Sequence, residues 1–157
     1  MGAFKEAHGG ELKQLYLSEA AAGEMKETAV DFMSWNLTER QVCDIELILN
    51  GAFSPLDGFL TREEYDGVLQ DMRLPSGILW PIPITLDVSE KFASKVEQGE
   101  FIALRDREGI LIATLQVSDI WVPDKVAEAR QAFGTNDPAH PGVRYLMEHA
   151  GLVYIGG

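Results

Sequence analysis

The sequence predicts an α+β fold built around a mainly antiparallel sheet or small barrel. Two stretches, Thr38-Glu39-Arg40-Gln41 and Thr61-Arg62-Glu63-Glu64, are capping boxes, in which a Thr hydroxyl and a Gln or Glu three residues later satisfy the first free N–H groups of a helix. From Ile78 the apolar period drops to two, with Ile78, Trp80, Ile82, Ile84, Leu86 and Val88 on one face of a strand. Arg107-Glu108-Gly109 then separates two strand-like runs as a hairpin loop ending in Gly. Helices and strands mix without the strict βαβ alternation that a parallel sheet needs.

The elements follow in order. The leading residues read as a loop, then a short strand over Glu11 to Leu17. Ser18 caps a helix predicted through Glu19–Met33, which Gly23 weakens by about 1 kcal/mol. The Thr38 box opens a helix with a stripe of Ile45, Ile48, Leu49 and Ala52, closed by Asn50-Gly51. Ser54-Pro55-Leu56-Asp57-Gly58 is a turn, and the Thr61 box starts a helix to about Asp71. Pro81 and Pro83 share parity and lack their N–H groups on the same side, so Ile78–Val88 reads as an edge or bulged strand. Ser89 caps a short helix through Lys95. Phe101–Asp106 and Ile110–Val122 are strands, the second bent near Val117–Asp119. Pro123-Asp124 opens a helix to Phe133, His140–Ala150 forms another, and Leu152–Ile155 is a last strand.

With 157 residues, 46% hydrophobic and 24% charged, the chain is the size and composition of one soluble globular domain, or one domain with a small appendage, and is not a disordered polymer. No stretch approaches the roughly 18 apolar residues that span a bilayer. Met1 to Leu17 lacks a signal peptide's apolar run, and the single Cys43 allows no internal disulfide. Both predict a reducing, cytoplasmic setting. Thirteen Lys and Arg against twenty-five Asp and Glu give −12. Residues 1–78 hold 14 acids and 6 bases, residues 79–157 hold 11 and 7, so both halves are negative. Phosphate binding by counterion release needs clustered cations, so nucleic acid is not an expected partner.

The usual catalytic constellations are missing: no phosphate-binding Gly-rich loop, no dinucleotide fingerprint and no nucleophile elbow. His8, His140 and His149 have no metal-ligand spacing. Asp44 and Glu46 point about 200° apart on a helix, so they form no carboxylate pair, and Arg40 is placed to pair with Asp44. Cys43 has no His or Lys at helical spacing and reads as a small buried hydrophobe. His8-Gly9-Gly10 reads as a flexible entry loop, favoured over a backbone site near a ligand. Trp80 and Trp121 read as core, and Trp35 stands with them as a base-stacking candidate. Lys125, Arg130 and Arg144 form the nearest thing to a basic cluster, diluted by Asp124, Glu128 and Glu148.

Several stretches together carry a resemblance. They are His8-Gly9-Gly10-Glu11-Leu12, the long block from Trp35 to Leu60, Leu79 to Val88, His140-Pro141-Gly142-Val143 and the closing Tyr154-Ile155-Gly156-Gly157. In this order and spacing the chain resembles the N-terminal domain of ATP sulfurylase (sulfate adenylyltransferase). The resemblance covers nearly all of the chain. It implies a PUA-like fold, a mixed β-barrel with peripheral helices, as a single domain over residues 1–157. It also implies an association with the reaction of ATP and sulfate to adenosine 5′-phosphosulfate and pyrophosphate. In that family the catalytic residues lie in a following domain, within a Gln-x-Arg-Asn and a His-x-x-His motif, and neither motif occurs in these residues.

No catalytic, substrate-binding or metal residue is therefore carried over, no cofactor is expected in this chain, and ATP with Mg and sulfate are substrates of the longer family enzyme. The expected partner is the catalytic domain. Phe53, Ser54, Pro55, Leu56, Asp57, Gly58 and Phe59 form the candidate contact, a turn flanked by two Phe that either marks a partner surface or places both rings in the core. The alternative is a free-standing PUA-like module that binds RNA or acts as a scaffold.

Overall fold

The computed structural model of the chain describes residues 6–157. Its elements are α1 (Glu19–Thr28), β1 (Met33–Asn36), α2 (Glu39–Leu49), α3 (Arg62–Asp71), β2 (Leu86–Val88), α4 (Glu90–Ala93), β3 (Phe101–Arg105), β4 (Leu111–Gln116), β5 (Asp119–Trp121), α5 (Lys125–Phe133), α6 (Pro141–Glu148) and β6 (Val153–Gly156). They gather into two compact units: residues up to Gly58 with Phe101–Gln116, and Phe59–Glu100 with Val117–Gly157.

In the first unit the strand order is β1-β3-β4, with β1 parallel to β3 and β3 antiparallel to β4. The hairpin turns at Gly109, whose φ of 87° suits its place at the end of the loop. Both parts of the Thr38 capping box are present, and Gln41 does more than cap. Its Oε1 accepts the Thr38 N–H at 3.0 Å and the Trp35 indole N–H at 3.1 Å, so a fully buried amide has its partners. Ile45 and Ile48 continue the buried stripe of α2, and Leu37, Leu56, Ile102 and Leu104 are buried in the same unit.

In the second unit the order is β2-β6-β5, all antiparallel. The Thr61 box is complete, with Glu64 Oε2 accepting the Thr61 N–H at 2.8 Å. Asp124 caps α5 by accepting from Val126 and Ala127. Ala129, Val143 and Leu146 join α5 to α6, with Phe133 and Ala150 packed against them. No helix among the described residues is long and apolar enough to cross a membrane.

The mixed α+β architecture matches expectation, and so does the predominance of antiparallel pairing. Each sheet is open and three-stranded, so neither forms the closed barrel that the resemblance implied. Several boundaries are corrected. The helix expected through Met33 ends at Thr28, because α1 has no buried residues to extend it and Met33–Asn36 pairs instead with β3. Glu11 to Leu17 is not a strand: Leu12, Tyr16 and Leu17 are exposed, so no buried face fixes a register. The strand expected over Ile78–Val88 shrinks to Leu86–Val88, since a ladder cannot form until the chain has passed Pro81 and Pro83, and Ile82 turns outward. Ser89 caps α4 as expected, but the helix stops at Ala93. The long second strand breaks after Gln116, where Val117 N–H turns to Glu100 O at 2.8 Å. The loop expected at the chain's start is met from Glu6 onward; residues 1–5 lie outside the described ones.

The segment before α1 is tied to the end of α2. Leu15 N–H donates to Leu49 O at 3.0 Å, and Lys13 N–H to Ser54 Oγ at 2.9 Å. Gly51, at φ 84°, makes this approach possible: a Cβ there would sit 2.4 Å from Lys13 O. Gly109→Ala meets the left-handed backbone cost alone, about 1–2 kcal/mol, with nothing near its Cβ. Gly51→Ala meets the same cost plus the clash, so its urea-unfolding free energy is expected to fall further than that of Gly109→Ala. Equal losses for the two variants would overturn the argument.

Candidate functional site

The densest polar chemistry lies inside the second unit. Glu128 on α5 is 6% exposed, and its Oε2 accepts the hydroxyl of Tyr65 on α3 at 2.8 Å and that of Tyr154 on β6 at 2.9 Å. Tyr65, Trp121 and Tyr154 surround this point with ring centroids 5.6–5.8 Å apart, two of the three pairs edge-on. Two hydroxyl donors converging on one oxygen suit a carboxylate, which only accepts. Burial, then the charge of Glu128 and the hydrogen bond to it, push both tyrosine pKa values far above their ordinary 10.

A second buried carboxylate lies nearby in the same unit. Asp87 on β2 is 3% exposed and accepts the Gly151 N–H at 2.6 Å. Lys125 donates to the Ala150 carbonyl at 2.7 Å. Burial lowers the Lys125 pKa, against the opposing pull of Asp87 and Glu128. The arrangement holds α3, α5, β2 and β6 by hydrogen bonds. Among the described residues no group of three or more His, Cys, Asp or Glu is placed to hold a metal.

The candidate contact segment is divided. Phe53, half-buried, donates its N–H to Leu47 O at 3.0 Å. Ser54 is buried and donates to Gly51 O at 2.6 Å, and Leu56 is 4% exposed in the core of the first unit. Phe59, 2% exposed, belongs to the core of the second unit, where its backbone exchanges two hydrogen bonds with Gly157 at 2.9 and 3.0 Å. The accessible part of the segment is Asp57 with portions of Phe53, Pro55 and Gly58.

The other singled-out residues fall in separate places. Arg40 and Asp44 form the expected ion pair at 2.5 Å. Cys43 is exposed, which corrects the expectation of a buried hydrophobe. The buried positions of α2 are Gln41, Ile45 and Ile48, and Cys43, two residues from both Gln41 and Ile45, lies about 160° around the helix from each of these. Cys43 borders an open cavity of about 380 Å³ in the first unit, beside the 3.0 Å Arg107–Glu39 ion pair. His140 stacks on Phe133 at 5.1 Å and His149 tilts against Tyr145 at 5.9 Å. Trp80 and Trp121 are buried as core, and the Trp35 indole N–H is committed to Gln41. Within the basic trio Lys125 serves Ala150 O, Arg144 Nε serves Pro138 O at 3.3 Å, and Arg130 is exposed. Glu128 itself was missed as a centre. Its partners lie 63 and 26 residues away along the chain, and no local spacing announces them.

A family model for a PUA-like domain matches residues 5–157. The chain belongs to that family. The PUA-like domain is also similar to proteins named sulfate adenylyltransferase: 52% identical over 151 residues to that of Eremothecium gossypii and 48% over 153 residues to that of Saccharomyces cerevisiae. Each match covers 96% of this chain but 30% of the relative, so the chain spans under a third of the length of these curated relatives. Among solved structures it is similar to one titled hexameric APS kinase from Thiobacillus denitrificans, with a TM-score of 0.69 and 36% identity, over 76% of this chain and 24% of that one.

The buried carboxylate gives the PUA-like domain a defined response to alkali. Each tyrosine's folded pKa lies above its unfolded value near 10, so its contribution is complete below pH 10 and is lost as pH rises beyond it. Two such groups predict a fall approaching about 2.7 kcal/mol per pH unit above pH 10, from 1.36 kcal/mol for each proton. Tyr65→Phe removes one charge-assisted hydrogen bond, an expected loss of about 1.5–3 kcal/mol at neutral pH. It also reduces the alkaline slope by about half. Urea unfolding at a series of pH values checks both, and an unchanged slope in the variant would count against the coupling.

Proposed function

We propose that this PUA-like domain is the non-catalytic N-terminal part of a cytoplasmic sulfate adenylyltransferase, packed against a catalytic domain and helping to frame its cleft. The observation that carries the reading is the 48–52% identity over 96% of the chain to proteins of that name, within which the match occupies 30% of the length. Sulfate attack on the α-phosphorus of ATP brings two anions together and needs directed donors and positive charge where negative charge develops. The domain offers little of either. The first unit holds 12 acids and 6 bases and the second 13 and 7, so each carries −6.

Many of its cations are also engaged internally. Arg40 pairs with Asp44, Arg107 with Glu39 and Arg62 with Asp66, while Arg105 bonds Ser34 and Gly109. The same engagement argues against the RNA-binding alternative. ATP with Mg and sulfate are then met by the remainder of the enzyme, and no cofactor is assigned to this domain. The purified 157-residue chain is expected to show no sulfate-dependent release of pyrophosphate from ATP. Clear turnover would overturn the proposal.

The contact with the catalytic part is assigned to the 53–59 segment, through its accessible portion around Asp57. Phe59→Ser is a poor probe, since emptying a core ring site costs about 3–5 kcal/mol and unfolds the reporter. Asp57→Lys reverses an exposed charge without touching either core. Its expected effect is an affinity at least about tenfold weaker, roughly 1.4 kcal/mol, for a catalytic domain supplied in trans, with the thermal midpoint unchanged. Unchanged affinity would place the contact elsewhere while leaving the pyrophosphate result to test the wider reading.

A further inference from the structure

We draw no further inference here: the strongest candidate, the exposed Val30, Met33 and Phe101 with the half-buried Phe32 beside β1 in the sheet of the first unit, in which Phe32 stacks on Phe101 at 5.7 Å, carries nothing because nothing in the structure shows what covers it.

Discussion

The second unit depends on a single carboxylate oxygen. Taking Glu128 out of water carries a penalty of several kcal/mol, and a buried charge persists only where its geometry is satisfied. Here the satisfaction comes from two tyrosine hydroxyls on different elements, at 2.8 and 2.9 Å. That requirement sets the distance of α5 from both α3 and β6, and it orients Tyr65 and Tyr154 edge-on to one another. Trp121 fills the third side. Apolar side chains of similar volume would pack here with fewer geometric conditions. The carboxylate adds a condition that an apolar core would not impose, that both hydroxyls reach the same oxygen.

α5 passes that constraint onward. Ala129, the next residue after Glu128, belongs to the core shared with α6, and Lys125, a few positions earlier on the same helix, secures the carbonyl of Ala150 just beyond α6. Gly151 follows at once, and its N–H is taken by Asp87 on β2. A Cβ at Gly151 would meet the Val88 carbonyl oxygen at 2.4 Å, so the chain can enter β6 here only as glycine. The helix pair and the sheet are thereby linked through a run of adjacent polar contacts.

Local chemistry was legible in the sequence and long-range chemistry was not. Both capping boxes, the Gly109 hairpin and the Asp124 and Ser89 caps rest on residues within a few positions of one another, and the structure places helices and strands accordingly. The errors cluster where a distant partner decides. Met33–Asn36 is short and follows a helix-favouring run, and only pairing with Ile102–Arg105 makes it a strand. Glu11–Leu17 holds Leu12, Leu15, Tyr16 and Leu17 but has no ladder to join. The Ile78–Val88 period was real in letters, yet Pro81 and Pro83 override it. Glu128 looked like one more acid diluting a basic cluster, because nothing local distinguishes a solvated carboxylate from one that two distant tyrosines will enclose. The candidate contact was similarly ambiguous: two Phe around a turn are compatible with a surface or a core, and only burial separates the cases.

These features bear on function through where polar groups are spent. A reaction centre keeps donors and charges aimed at space that a substrate will fill, and its groups are stabilised by the substrate rather than by each other. In the second unit the strongly placed groups do the opposite. Glu128, Tyr65, Tyr154, Asp87 and Lys125 all have partners within the protein, so their chemistry is consumed in holding the fold. Net charge points the same way, since an acidic unit makes the surrounding potential more negative and disfavours the approach of anions. Substitutions at these five residues are then expected to act first on the stability of the unit, because each removes a partner that another buried group depends on.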